Sequence, residues 1–300
     1  MQKENFIHSP LNYTGGKFKI LKDIIPWFPS EIGTFVDLFA GGLNVGINIS
    51  ARKIIANDQL SYLIDVYRFL QKTKWKEIHD SIVAKINNFK LSITNKDGYA
   101  LLRKQYNATH DPLELFLLTC YSFNHQIRFN SKHEFNTPFG MNRSSYNDSI
   151  NSNLQAFVNR LQNNNIQLSS VDFLSVDMSK LGQSDFVYCD PPYLITTGAY
   201  NDGKRGFKDW TNKEEGELLS LLDQLNDRGI KFALSNVLTH KGLRNDQLIE
   251  WSGKYTVTHI QKSYSNCSYH FKSRKSKTDE VLITNYLQTN LHTPCQMTFL

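Results

Sequence analysis

The sequence predicts an α/β fold: a Rossmann-like, seven-stranded sheet interrupted by a mostly helical insertion. Three observations carry this. Residues 34–70 read strand, helix, strand, helix, which implies parallel pairing with a right-handed crossover. From about residue 71 to 165, helical periodicity alternates with Asn-rich polar loops, without a strong strand. From residue 167 the α/β rhythm resumes.

The first strand covers residues 34–39, with Phe35, Val36 and Leu38 as its apolar members, and runs into Gly41-Gly42. A helix is expected over 43–50, with Val45, Ile47 and Ile49 available for packing. The second strand, 53–56, ends in Asn57-Asp58, and a helix follows over 61–70. Helices at 75–89 and 113–123 belong to the insertion. Strands are then expected at 167–173, 186–189, 231–235, 255–263 and 280–286. A helix at 213–226 carries the apolar stripe Leu218, Leu219, Leu221, Leu222 and Leu225. The expected organisation is a discontinuous catalytic domain (1–70 and 165–290), an insertion at 71–164 and a tail at 291–300.

The chain of 300 residues has 34 Lys+Arg against 28 Asp+Glu, a net charge of +6. The surplus is localised: residues 63–165 hold 13 basic and 8 acidic side chains, leaving 21 against 20 elsewhere. A basic surplus confined to one segment is the footprint of a phosphate-binding face. No apolar run is long enough for a membrane span, and residues 1–10 lack the apolar core of a secretory signal. Cys120, Cys189, Cys267 and Cys295 are scattered, without a CxxC pair or zinc-like spacing. No metal is expected, and a cytoplasmic setting fits.

Three constellations carry chemistry. In Asp37-Leu-Phe39-Ala40-Gly41-Gly42, a strand ends in a glycine turn that lets the backbone approach a ligand. The spacing is not GxGxxG, so a dinucleotide pyrophosphate does not suit it. Asp58, at the end of the next strand, is placed to accept hydrogen bonds from two ribose hydroxyls. Together they point to an adenosine-type ligand. The second constellation, Asp190-Pro191-Pro192-Tyr193, follows the strand at 186–189. Its prolines stop the strand and remove backbone donors. Because the fourth strand of such a sheet lies beside the first, Asp190 is expected to face the Gly41 turn. The third is Asn12-Tyr13-Thr14-Gly15-Gly16-Lys17, a ring, a flexible turn and a cation that suit covering a ligand and meeting its carboxylate.

In this order the three resemble the Dam-type family of DNA adenine-N6 methyltransferases, with aromatic-x-Gly-Gly-Lys first, then Asp-x-Phe-x-Gly, a recognition insertion and Asp-Pro-Pro-Tyr. The resemblance covers residues 11–286 and includes Phe123-Asn124-His-Gln126-Ile-Arg128-Phe-Asn130 and Glu134-Phe-Asn136-Thr-Pro138-Phe-Gly140. It implies an S-adenosylmethionine-dependent sheet with a DNA-recognition insertion. Tyr13, Lys17, Asp37, Asp58 and Asp190 would serve the cofactor, Phe39, Ala40 and Gly41 would line its methionine part, and Asp172-Phe173 would hold its adenine. Asp190, Pro191, Pro192 and Tyr193 would form the catalytic pocket. Phe123 and Asn124 would sit at the displaced base pair, Arg128 would reach a guanine edge or a phosphate, and Gln126, Asn130, Asn136 and Pro138 complete the DNA-contacting set. GATC-methylating members usually carry glycine and an apolar residue where this chain has His125-Gln126, so the resemblance leaves the target sequence open.

The implied chemistry suits the residues. The adenine N6 lone pair is delocalised into the ring, so the amine needs acceptors for its hydrogens and a negative environment as positive charge develops. A carboxylate and a proline-flanked carbonyl supply both, and Tyr193 can stack on the base. Transfer is then largely a matter of in-line positioning, and a base inside a duplex must be turned out. Duplex DNA is the expected partner and a monomer the expected state. RNA or cytosine-N4 methylation, a catalytically dead DNA-binding module and a dinucleotide oxidoreductase are the rival readings. Asp190, where cytosine-N4 enzymes usually carry serine, favours adenine. Residues 196–210 read as a loop able to close over DNA, and 263–277 as a basic hairpin. The isolated His8, His79 and His292 carry no assigned role.

Overall fold

A computed structural model describes residues 6–13, 15–196, 210–260 and 278–287. The sheet order is β3 (Ile166–Ser169), β2 (Lys53–Asn57), β1 (Thr34–Asp37), β4 (Phe186–Cys189), β5 (Lys231–His240), β8 (Asp279–Thr284) and β7 (Thr256–His259). These seven form one path, and the two-residue β6 (Leu243–Arg244) pairs with the end of β5. The strands from β3 to β5 are parallel, whereas β8 is antiparallel to both β5 and β7.

Alternation along the strands divides the core by face. Phe35, Ile54, Phe186, Tyr188 and Ala233 join one apolar cluster; Val36, Ile55, Val187, Cys189, Phe232 and Leu234 join the other. Successive side chains of a strand point to opposite faces, so a parallel sheet covered on both sides needs apolar residues at nearly every position. α7 (Asn212–Asp227) covers the second face with Leu218, Leu219, Leu222 and Leu225, and α8 (Asp246–Ser252) adds Leu248 and Trp251. Burying each leucine contributes about 1.5–3 kcal/mol. The first face takes Leu21 and Ile24 from α1 (Leu21–Ile24) and Leu63, Ile64, Val66, Tyr67 and Leu70 from α2 (Ser61–Lys72).

Four helices occupy the segment between α2 and β3: α3 (Trp75–Asn88), α4 (Lys96–Thr109), α5 (Pro112–Tyr121) and α6 (Asp148–Asn163). Their buried side chains, among them Ile78, Leu102, Phe116 and Phe157, join the first-face cluster. These four helices therefore share one apolar core with the first face of the sheet. Side-chain caps mark the starts of α4, α5 and α6, though not of α3: Asn95 accepts from the Gly98 amide, Asp111 from Glu114, and Asn147 from Ile150. Each satisfies one of the amides left open in a first helical turn.

Several expectations need correction. No α-helix forms over residues 43–50; a single 3-10 turn covers Gly46–Asn48. Gly41 and Leu43 take positive φ (47° and 57°), so the chain leaves helical geometry. The Asn44 side chain accepts from the Ser9 amide, and Asn48 exchanges hydrogen bonds with the Ile7 backbone. These bonds bind the segment to the N-terminal strap instead. α5 ends at Tyr121, before Phe123, while β3 stops at Ser169 and β5 extends to His240. α4, α6 and α8 are additional helices. Most of the loop expected at 196–210, the hairpin at 263–277 and the tail at 291–300 lie outside the described residues, as do Cys267, Cys295 and His292.

Two buried polar side chains hold the strand ends. Asn57 (1% exposed) donates to the carbonyls of Leu38 and Val171 and accepts from the Val171 amide, tying the ends of β1 and β2 to the loop after β3. Asn57→Ala strands those backbone groups and is expected to lower unfolding free energy by about 2–3 kcal/mol in urea titration. Asp37, also 1% exposed, accepts from the Gly46 amide at 3.0 Å. Burial, with smaller contributions from Asp190 and Asp58 and against the Gly46 hydrogen bond, pushes its carboxyl up to about 7. The unfolded carboxyl ionises near its ordinary value while the folded one resists. Wild-type stability relative to Asp37→Asn should therefore fall as pH rises from about 4 to about 7 and then level off. The total is about 4 kcal/mol, measurable by urea titration at each pH; a flat difference would contradict it.

Candidate active site

β1 pairs in parallel with β2 on one side and β4 on the other, so three chain segments leave the sheet at one rim. Asp37 is opposite Tyr188, and the Leu38 amide bonds the Tyr188 carbonyl at 3.0 Å. The glycine turn after β1 and the Asp190 turn after β4 are thus neighbours. Asp58, just beyond β2, joins them: its Oδ2 accepts from the Gly41 amide at 2.8 Å and its Oδ1 from Leu60 at 2.9 Å. Burial pushes the Asp58 carboxyl up against these two hydrogen bonds.

The strap at residues 12–17 crosses both turns. The Tyr13 ring lies on Gly41 so closely that a Cβ there would be 3.0 Å from Tyr13 Cδ1. With its positive φ, this position requires glycine. Lys17, 6% exposed, pairs with Asp190 Oδ1 at 2.7 Å, donates to the Gly15 carbonyl at 3.2 Å and sits 4.9 Å from the centre of the Tyr193 ring. Burial pushes the Asp190 carboxyl up, opposed by Lys17 and the Tyr193 hydrogen bond and reinforced by Glu280. Tyr193 is 9% exposed, and its hydroxyl donates to Asp190 Oδ1 at 3.1 Å. Beside the glycine turn, Phe39, Phe173 and Trp210 meet with ring centres 5.4–5.7 Å apart. Asp172 caps the turn before Phe173 by accepting from Leu174. Trp210 donates from its indole to Glu215 Oε2 at 2.7 Å, and Glu215 Oε1 accepts from Asn236 and Asn245.

The stretch expected to meet nucleic acid is a compact hairpin. Phe123 N bonds Pro138 O, Asn136 N bonds Arg128 O, and Asn130 N bonds Glu134 O. Single bridges join Ser122 to Phe139 and Phe129 to Phe135. Asn130 also bonds Glu134 through its side chain, and the Gln126 carbonyl accepts from Ser122 and Thr137. Phe123, Asn124, Arg128 and Pro138 are exposed, while Gln126 and Asn136 are half-buried. Asn124 and His125 both have φ of 54°. A left-handed backbone explains why glycine suits position 125, and histidine there carries a strain of about 1–2 kcal/mol. Asn12 donates to the Asn124 carbonyl at 3.0 Å, fastening the hairpin to the strap that covers the Asp190 turn.

Tyr13, Lys17, Asp37, Phe39, Ala40, Gly41, Asp58, Asp172, Phe173 and the turn from Asp190 to Tyr193 therefore gather at the carboxyl rim of the sheet. Sequence reasoning missed Asn57, Trp210, Glu280 and Arg143. The Arg143 guanidinium stands 4.9 Å over the Phe123 ring and donates to Asn124 Oδ1 at 3.2 Å. A basic side chain just after the stretch expected to contact DNA was its one available signal. Among the described residues no group of three or more His, Cys, Asp or Glu side chains is placed to hold a metal, and no helix is long and apolar enough to cross a membrane.

Comparison with known proteins gives this rim a lineage. Residues 13–278 match the family described as D12 class N6 adenine-specific DNA methyltransferase. The chain is 50% identical over 282 residues to Type II methyltransferase M.FokI of Planomicrobium okeanokoites, covering 94% of this chain and 43% of that protein. It is 47% identical over 285 residues to modification methylase StsI of Streptococcus sanguinis, again 94% of this chain and 43% of that protein. The DNA adenine methylase of Escherichia coli strain K12 is 27% identical over 279 residues, covering 91% of this chain and 93% of that protein. The chain thus spans less than half the length of the first two relatives. The match runs from the strap through both turns and the hairpin, and the chain belongs to the D12 class N6 adenine-specific DNA methyltransferase family.

Proposed function

We propose that the chain is a site-specific DNA methyltransferase that transfers a methyl group from S-adenosylmethionine to N6 of an adenine turned out of duplex DNA. One observation carries this: Lys17, Asp190 and Tyr193 form a connected cluster at the rim where the glycine turn ends β1.

The residues present fit the cofactor. Gly41 keeps the backbone open under Tyr13. Asp58 spends one hydrogen-bond position of each oxygen on a backbone amide, and a carboxylate oxygen has a second for a ribose hydroxyl. Phe39, Phe173 and Trp210 offer ring faces for a purine. When bound, the cofactor supplies an electrophilic methyl group on a sulfonium. The protein's part is positioning and charge. The Asp190 carboxylate and the carbonyls of the proline turn accept the N6 hydrogens, and the Tyr193 ring stacks on the base. Lys17 keeps the buried Asp190 compensated until the amine takes its place beside it.

On this reading residues 71–164 form the recognition unit, and residues 1–70 with 165–290 the catalytic unit. The hairpin offers Arg128 for a guanine edge or a phosphate, Gln126 for a base edge, and Phe123 with Asn124 at the displaced pair. Asn130, Asn136 and Pro138 shape and flank it, and Arg143 adds a cation beside Phe123. The names of the first two relatives support a DNA-marking role within a restriction–modification pair. The carboxylate at position 190 and the family match both weigh against cytosine-N4, RNA and dinucleotide readings.

Incubation with duplex DNA and methyl-deuterated S-adenosylmethionine should place label in N6-methyladenine, detected by nucleoside mass spectrometry. Label only in RNA or in N4-methylcytosine would overturn the proposal. Asp190→Ala should abolish transfer while duplex affinity stays within about twofold. Arg128→Ala should weaken specific binding by about 1–3 kcal/mol in fluorescence anisotropy.

A further inference from the structure

β8 runs antiparallel to β5, so its first residues reach the rim at which the parallel strands end. That direction delivers Glu280 to the Asp190 turn across 90 residues of sequence separation. Its backbone is fixed there: Glu280 is opposite Val237 of β5, and its carbonyl accepts from the Ile260 amide at 2.8 Å. Its side chain is 5% exposed, and Oε1 lies 3.4 Å from the Tyr193 hydroxyl. The same hydroxyl stands 3.1 Å from Asp190 Oδ1. Tyr193 thus places its phenol between two carboxyl groups, with a single hydrogen to donate. Lys17 meets Asp190 at 2.7 Å and lies 4.9 Å from the centre of the Tyr193 ring.

A second buried carboxyl beside a catalytic one is costly to desolvate, and an apolar residue would fill the end of β8 as well. Among the described residues, the side-chain group it meets at hydrogen-bonding range is the Tyr193 hydroxyl. We propose that Glu280 is a positioning residue for methyl transfer: it is the second acceptor beside the Tyr193 hydroxyl and takes its hydrogen when Asp190 turns to the N6 amine, so that the ring keeps one orientation against the turned-out base. This rests on the function proposed above. Glu280 has a second effect through charge, because it raises the Asp190 carboxyl in opposition to Lys17. Among the described residues, the groups around Asp190 are Lys17 from the strap, Asp37 from β1, Tyr188 and Cys189 from its own strand, Tyr193 from its own turn, and Glu280 from β8. Among the described residues, Glu280 itself faces Tyr193, Asp190 and Tyr188.

The test compares Glu280→Gln, Glu280→Ala, Tyr193→Phe and the double variant Glu280→Ala/Tyr193→Phe with wild type. It reads kcat and KM for duplex and cofactor from pH 5 to 9. Glu280→Gln keeps an oxygen near the hydroxyl but removes the charge. It should leave both KM values within about twofold and move the acid limb of the kcat profile to lower pH, because Asp190 then ionises more easily. Glu280→Ala should lower kcat by about 10- to 100-fold with KM for cofactor unchanged. Because Glu280 acts through the hydroxyl, the double variant should be no slower than Tyr193→Phe alone. Additive losses in the double variant, or an unshifted profile in Glu280→Gln, would overturn the inference. If Glu280→Ala fails to fold, the Glu280→Gln profile decides alone. Absence of transfer by the wild-type protein would count against the function proposed above; normal wild-type turnover with an unaltered Glu280→Gln would count against Glu280 alone.

Discussion

The parallel pairing of β1 with both β2 and β4 is the constraint on which the site depends. It sets Asp37 opposite Ala56 on one side and Tyr188 on the other. Three loops consequently leave the sheet at one rim: the glycine turn, the Asp58 turn and the Asp190 turn. A shift by one residue would exchange the sheet faces, sending Phe35 and Val36 into each other's clusters. The register is therefore protected by both halves of the core. Polar clamps refine it, Asn57 joining the strand ends and Asp37 holding the Gly46 amide. The strap from Asn12 to Lys17 then converts adjacency into a connected site. It touches the hairpin through Asn12, the glycine turn through Tyr13 and the Asp190 turn through Lys17.

Electrostatics give this rim its character. Asp37, Asp58 and Asp190 are three carboxyl groups brought to neighbouring strand ends, and burial pushes each above its ordinary range. Asp190 is compensated by Lys17, whereas Asp37 and Asp58 rely on backbone amides. Carboxyl groups held back from ionising by burial are stabilised by a positive charge developing beside them, which suits the proposed reaction of an amine, and their stability cost fits the tendency of functional sites to hold perturbed groups. The surplus positive charge of the chain lies instead in residues 63–165, where, on the proposed function, phosphates would meet it.

The legible parts of the fold were those written locally. β1, β2 and β4 are short apolar runs because both sheet faces are buried, and Asp-Pro-Pro-Tyr announces itself by chemistry that sits within four residues. α7 was legible from its leucine stripe. The segment at 43–50 misled because its apolar residues suit a helix, while Asn44 and Asn48 are engaged by the Ile7–Ser9 backbone some 35–41 residues away. α4 and α6 escaped notice because their buried positions are interspersed with Asn and Gln, which read as loop. Trp210, Glu280 and Asn57 gain their meaning only from partners brought near by the sheet, and no local pattern marks them. Glu280 looked like the polar start of an apolar strand; the antiparallel direction of β8 is what brings it to the rim.

On the proposed function, the amine of a turned-out adenine and the methyl-donor position of S-adenosylmethionine must meet between the two turns. A bisubstrate ligand joining adenine N6 by a short linker to the methyl-donor position of a cofactor analogue measures this directly by calorimetry. If the two half-sites adjoin, the linked compound should bind at least about 100-fold more tightly than the better of its separate halves. Binding no tighter than the cofactor half alone would contradict the shared site.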